Sequence, residues 1–168
     1  EELKRKCDEY SCRKLKEECL DLPAKIFSEI RVDLSTHEKK IYNDMATHLI
    51  AEVEAEGEPV VASTMLTKLL RLQQITGGTV TDGDRVMTID GEHSKMTALK
   101  ELLESLEDHK VVVFARFTAE IKSIKKLCEE LGRKHHVLIG ETLDKERQDM
   151  VNEFQHENGN DVMIANVA

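Results

Sequence analysis

The sequence predicts an α/β fold: a partial, three-layer parallel sheet, preceded by a helical segment and a small β-hairpin. Three observations carry this. Lys110 is followed by Val111, Val112, Val113, Phe114 and Ala115, a continuous apolar run of the kind found in strands buried on both faces. From there, short apolar runs alternate with helical periodicity as far as Val162, Met163, Ile164 and Ala165, in the order strand, helix, strand, helix, strand. Ahead of this unit, Asp82-Gly83 lies between two short stretches rich in Thr and Val, the strongest hairpin signal in the chain.

The elements follow in chain order. Residues 1–19 read as a charged helix, with Leu3, Cys7 and Tyr10 on one stripe and Cys12, Leu15 and Cys19 on another. Leu20, Leu22 and Pro23 mark a linker, since proline ends any helix there. Ile26, Ile30, Val32 and Leu34 predict a strand over 26–34, available as a sheet edge. Ser35 caps the next helix, and Glu38, three residues on, completes a capping box. That helix carries Ile41, Tyr42, Met45, Leu49 and Val53 on one face and fades into the acidic stretch Glu52 to Glu58. A second helix over 63–75 has Leu66, Leu69 and Leu70 on a stripe expected to be core, and Gly77-Gly78 stops it. After the hairpin, Ser94 starts a helix with Met96, Leu99, Leu102, Leu103 and Leu106. Ile121, Ile124, Leu127, Cys128 and Leu131 mark the helix after the first buried strand, and Met150, Val151 and Phe154 the helix after the second. Three segments result: a linker helix (1–19), a helical lead-in with edge strand and hairpin (20–109), and the parallel-sheet core (110–168).

A chain of 168 residues is long enough for one ordinary domain with a real core. With no Trp, two Tyr and four Phe, that core has to be built from Leu, Ile, Val and Met. The net charge of -9 excludes global attraction to nucleic acid, so any such binding must come from a local basic patch. The four cysteines form no C-x-x-C pair and fit reduced thiols in a cytoplasmic protein. No signal peptide and no apolar run of membrane-spanning length is present. Glu1 stands first without a Met, as expected of an excised or processed segment.

The chemistry of self-contained catalysis is missing. No G-x-x-x-x-G-K-[ST] phosphate loop and no G-x-G-x-x-G occurs. Gly77-Gly78 follows a helix instead of leading into one, so it cannot aim helix N-terminal amides at a phosphate. His135 and His136 are neighbours on a strand, and their side chains diverge to opposite faces. No catalytic, cofactor-binding or metal-ligating residue is therefore assigned.

Information lies in the order of several ordinary segments. Leu20-Asp21-Leu22-Pro23-Ala24-Lys25 precedes an Ile41-Tyr42 helix; Leu69-Leu70-Arg71-Leu72-Gln73-Gln74-Ile75-Thr76-Gly77-Gly78 follows, then Ser94-Lys95. Lys110 to Phe117 comes next, then Gly140-Glu141-Thr142 with Arg147, then Val162-Met163-Ile164-Ala165. In this order the set resembles the second RecA-like lobe of Swi/Snf-type ATPases of helicase superfamily two, in wording closest to compact bacterial or phage members. The resemblance covers residues 20–168. It makes Lys110 to Phe117 helicase motif IV, Gly140 to Arg147 the neighbouring G…R segment, and Val162 to Ala168 the opening of motif V, where the likeness stops.

The resemblance implies part of an ATP-driven motor on double-stranded DNA. The family's first lobe, which holds ATP and Mg²⁺ on its Walker motifs, and the arginine finger of motif VI lie outside this sequence. The chain by itself is therefore expected to be inactive and to need that lobe as a partner. The nucleic-acid-binding candidates are Arg116, Thr142 and Arg147. Arg116 and Thr142 stand just beyond the carboxyl ends of predicted parallel strands, where open α/β sheets place ligands. Arg147 lies in a first helical turn, where a lone cation opposes the helix dipole and an outside anion would suit it. The plainer reading of Arg147 is a surface ion pair with Glu146 or Asp144. For Lys95 the plainer reading, a soluble helix start, is preferred. Weak DNA binding, no membrane contact and self-association through an incompletely covered sheet complete the expectations. The alternative is a stand-alone α/β protein-interaction module with a vestigial helicase resemblance.

Overall fold

The computed structural model describes residues 10–11, 14–15, 19–21, 23–55, 62–82, 85–89, 91, 93–156 and 159–167. Two compact units are present, Glu1–Arg31 and Val32–Ala168. Most of the expected helix over 1–19 lies outside the described residues. In the second unit the elements are α1 (Thr36–Ala55), α2 (Ala62–Thr76), the strands β1 (Thr79–Asp82) and β2 (Arg85–Thr88), α3 (Ser94–Ser105), β3 (Val111–Ala115), α4 (Thr118–Glu130), β4 (His135–Leu138), α5 (Asp144–His156) and β5 (Val162–Asn166).

The strand over 26–34 does not form. Residues 23–35 belong to no helix or ladder, and Ile26, Phe27, Ile30 and Val32 are exposed. Alternating apolar side chains give a segment strand character, but an extended backbone is stabilised only when its N–H and C=O groups find a ladder partner. Among the described residues, Ile30, Val32 and Leu34 have none. The leucine stripe of α2 is a second correction, because Leu66 and Leu69 are exposed and only Leu70 is half-buried. The buried side of α2 is instead reached at Ile75, which is fully buried in the last turn.

The hairpin forms as β1 paired antiparallel with β2, Thr79 opposite Thr88 and Asp82 opposite Arg85. Asp82 of the expected Asp82-Gly83 turn is thus paired in the ladder, and residues 83–84 lie outside the described residues. Gly78 ends α2 with φ 80, a left-handed conformation that costs glycine little.

The sheet has the order β3-β5-β4, all parallel. The first crossover, β3 through α4 to β4, therefore skips the place that β5 fills, and the second, β4 through α5, returns to that adjacent middle place. β5 is the central strand, and its Val162, Met163 and Ile164 are buried. Register places Val111, Val113 and Ala115 beside Val162, Ile164 and Asn166 on one face. There they meet Ile121, Ile124, Leu127 and Cys128 of α4 and Leu103 of α3. At roughly 25 cal/mol per Å², burying each such side chain contributes on the order of 1.5–3 kcal/mol, so this aliphatic layer holds the unit together.

The other face is covered unevenly. His136 of β4 is buried and meets Phe154 of α5 edge to face, ring centroids 6.5 Å apart. On β3, Val112 and Phe114 remain 46% and 67% exposed. α5 shields the β4 side of the sheet and leaves the β3 side open.

Candidate nucleic-acid interface

The carboxyl ends of the parallel strands form the edge on which the three candidates fall. Arg116 directly follows β3, Thr142 lies in the turn after β4, and Arg147 is in the first turn of α5. Because β5 separates β3 from β4, Arg116 stands on one flank and the other two on the opposite flank. Two strand spacings of about 4.8 Å each set the scale of that separation.

Thr142 and Arg147 are brought together on the backbone of one residue, Ile139. The Ile139 N–H donates to Thr142 Oγ1 at 3.1 Å, and the Thr142 N–H donates back to the Ile139 carbonyl at 3.1 Å. Arg147 Nη2 donates to that same carbonyl at 3.3 Å, while its own N–H starts the helix on Leu143 O at 2.8 Å. Among the described residues Arg147 makes no ion pair, so the expected alternative, a bridge to Glu146 or Asp144, is absent. A hydroxyl that accepts still has a hydrogen to donate, and a guanidinium spending one of five N–H groups keeps four. The pair can thus present donors to a single phosphate.

On the β3 flank, Arg116 Nη1 donates to Gln73 Oε1 at 3.0 Å and its guanidinium stands 5.9 Å from the Phe117 ring centroid. Asn166, ending β5, donates to the Arg116 carbonyl at 3.5 Å. Below it, Glu120 is buried in the first turn of α4. It accepts from the Phe117 N–H at 3.4 Å and pairs with Lys95 Nζ at 2.8 Å. Lys95 therefore neutralises a buried carboxylate, a role its place at a helix start does not reveal.

A second buried carboxylate ties the lead-in to α3. The capping box forms as expected: Ser35 N–H donates to Glu38 Oε2 at 2.8 Å and Glu38 N–H to Ser35 Oγ at 3.2 Å. Glu38 also accepts from Ser94 Oγ at 2.5 Å and from the Ser94 N–H at 3.1 Å. One side chain, 1% exposed, so caps α1 and α3 together. Burial pushes its carboxyl up. Hydrogen bonds from the Ser94 side chain, the Ser35 backbone and side chain and the Ser94 backbone outweigh burial and hold it down at about 2. Nothing in the sequence signals this link, since Glu38 and Ser94 are 56 positions apart.

Buried Arg133 is a further residue that sequence reasoning missed. Nη1 donates to Leu103 O at 3.0 Å, Nη2 to His109 O at 2.6 Å, and Nε to Asn160 O at 2.9 Å. It fastens the end of α3 and the lead-ins to β3 and β5. The side chains of His135 and His136 diverge: His135 Nε2 is 4.0 Å from Glu129, His136 Nε2 3.4 Å from Asp161. Among the described residues no group of three or more His, Cys, Asp or Glu is placed to hold a metal ion, and no helix is long and apolar enough to cross a membrane.

Comparison with known proteins agrees with this geometry. Residues 94–167 match the helicase conserved C-terminal domain family, a stretch that takes in α3 as well as the sheet. The whole chain is similar to an uncharacterized ATP-dependent helicase of Mycoplasma genitalium, 28% identical over 169 residues and 99% of this chain. It spans only 16% of that relative's length. In fold it is similar to the Sulfolobus solfataricus SWI2/SNF2 ATPase core in complex with dsDNA, with a TM-score of 0.72 and 24% identity over 98% of this chain and 36% of that one. It is also similar to the C-terminal domain of a SWI2/SNF2 ATPase from the same organism, with a TM-score of 0.67 and 23% identity over 80% of this chain and 60% of that one. Residues 94–167 thus match the helicase conserved C-terminal domain model, and the fold of the chain is similar to that of the SWI2/SNF2 ATPase core.

Proposed function

We propose that this chain supplies part of the DNA track of an ATP-driven motor moving on double-stranded DNA. The observation that carries the reading is the placement of Arg116, Thr142 and Arg147 along the carboxyl edge of β3 and β4, on either side of β5. Open α/β sheets bind ligands at that edge. Two guanidiniums and a hydroxyl suit phosphate oxygens, which carry no sequence information, so the contacts fix position and not sequence. Similarity to a SWI2/SNF2 core that is in complex with dsDNA supports the same choice of ligand. With a net charge of -9, the chain binds DNA weakly by itself, and the parent protein supplies the rest of the affinity. We place the parent in the cytoplasm, where Cys19 and Cys128 would stay as unpaired thiols.

ATP and Mg²⁺ belong on this reading to a first lobe that carries the phosphate loop and acidic motif lacking in this sequence. The second lobe contributes position and charge across the cleft. The 168-residue chain therefore does not hydrolyse ATP. Phosphate release is measured on the purified chain with and without duplex DNA. The expected result is a rate equal to the buffer blank in both. DNA-stimulated release that follows the protein through every purification step overturns this part of the proposal.

A further inference from the structure

We infer that Gln73 is a positioning residue that holds Arg116 ready for phosphate, an inference that rests on the reading of Arg116 just given. Gln73 Oε1 accepts from Arg116 Nη1 at 3.0 Å, between the last turn of α2 and the end of β3. The two residues are far apart in sequence, and both side chains are exposed. Exposed pairs of this kind are worth little unless something else fixes both ends.

Here the backbone near both ends lies against one buried group, Glu120. Gly77 follows α2, and a Cβ built on it would stand 2.8 Å from the Glu120 carboxyl carbon. Only a glycine lets the end of α2 approach so closely. Glu120 in turn accepts from the N–H of Phe117, the residue after Arg116. Lys95 Nζ neutralises Glu120 at 2.8 Å. Gln73, whose carbonyl accepts from the Gly77 N–H at 3.2 Å, and Arg116, next to Phe117, are each one step removed from a group that lies against Glu120. The Phe117 ring, 5.9 Å from the guanidinium, limits its movement on another side.

The chemistry of the partner matters. An amide oxygen orients a guanidinium without cancelling its charge, and uses one of five donors. A carboxylate in the same place would orient it equally well and neutralise it. Ordering a free arginine on binding costs affinity that a side chain already held in place retains, about two- to tenfold in Kd.

The test is duplex-DNA affinity by fluorescence anisotropy across a range of salt, with a thermal melt of each protein. The proteins are the parent chain, Arg116→Ala, Gln73→Ala, Gln73→Glu and the double variant Gln73→Ala with Arg116→Ala. Arg116→Ala is expected to weaken binding and flatten the salt slope by about one unit. Gln73→Ala is expected to weaken binding about two- to tenfold with the slope unchanged, since the charge remains. Added to Arg116→Ala, it should cost nothing more. Gln73→Glu should lower both affinity and slope, and it carries the test through the slope if Gln73→Ala melts early. If Gln73→Ala binds like the parent while Arg116→Ala is weakened, the inference fails and the DNA reading stands. If Gln73→Ala is equally costly with and without Arg116, Gln73 acts elsewhere and the inference fails. If Arg116→Ala binds like the parent, the DNA role of Arg116 and the inference fall together.

Discussion

Replacing Glu38 by Gln probes the link between α1 and α3 with the least change in shape. The carboxylate accepts from the Ser35 N–H, the Ser94 N–H and the Ser94 hydroxyl, all donors. An amide keeps one acceptor oxygen but, whichever way it lies, turns an NH₂ toward a backbone N–H, of Ser35 or of Ser94, that can only donate. A folded-state value of about 2 against an ordinary 4.5 corresponds to roughly 3 kcal/mol, at about 1.4 kcal/mol per unit. Because the folded value lies below the unfolded one, this contribution is complete above about pH 5. It is lost as the pH falls toward 2. For a chain of this length the loss corresponds to about 6–12 °C in Tm. The assay is thermal and urea unfolding of parent and Glu38→Gln at several pH values between 7 and 3. Every other carboxyl titrates in both proteins and drops out of the difference, which then reports Glu38 together with its contact to His93 Nδ1 at 3.6 Å. The expected difference is largest at pH 7 and shrinks steadily below pH 5. A Tm within about 1 °C of the parent at pH 7, or a gap that stays constant down to pH 3, would refute the reasoning.

Two further outcomes follow from burial. Arg133→Met should cost roughly 3 kcal/mol or more in urea unfolding, because the carbonyls of Leu103, His109 and Asn160 lose their donors and each orphaned group costs about 1–3 kcal/mol. A loss below about 1 kcal/mol would mean that water replaces the guanidinium. The exposed Val112 and Phe114 on the β3 side of the sheet should drive self-association of this chain at high micromolar concentration, and Phe114→Lys should reduce it. A strictly monomeric parent in sedimentation would contradict that expectation.

What was legible in the sequence was local. Val111 to Ala115 and Val162 to Ala165 read as buried strands because a strand enclosed on both faces is apolar throughout; both form, but β3 is covered on one face only, with Val112 and Phe114 exposed on the other. The Ser35–Glu38 box and the Gly77-Gly78 stop were readable because a helix end needs specific partners within four residues. The errors arose where partners lie far away. Residues 30–34 alternate like a strand but have no neighbour to pair with among the described residues. Leu66 and Leu69 keep helical spacing, yet the periodicity does not say which face of α2 meets the rest of the unit. At the site, Arg116, Thr142 and Arg147 could be placed by strand order alone. Their supports could not: Gln73 lies 43 positions from Arg116, and Lys95 lies 25 from Glu120. No periodicity links residues so separated, and a buried Arg133 held only by carbonyls is a polar group in an unexpected place.

The central claim is that the carboxyl edge of β3 and β4 touches DNA phosphates, and counting the released counterions tests it most directly. Affinity for a duplex of mixed sequence is measured against salt for the parent and for Arg147→Ala. With Arg116 and Arg147 as the cationic contacts, the log–log slope should be near −2, at about 0.9 per phosphate. Arg147→Ala should bring it near −1, with the same loss of affinity on every sequence. A parent slope near zero, or a slope and affinity unchanged in Arg147→Ala, would contradict the claim and leave these residues as ordinary surface charges.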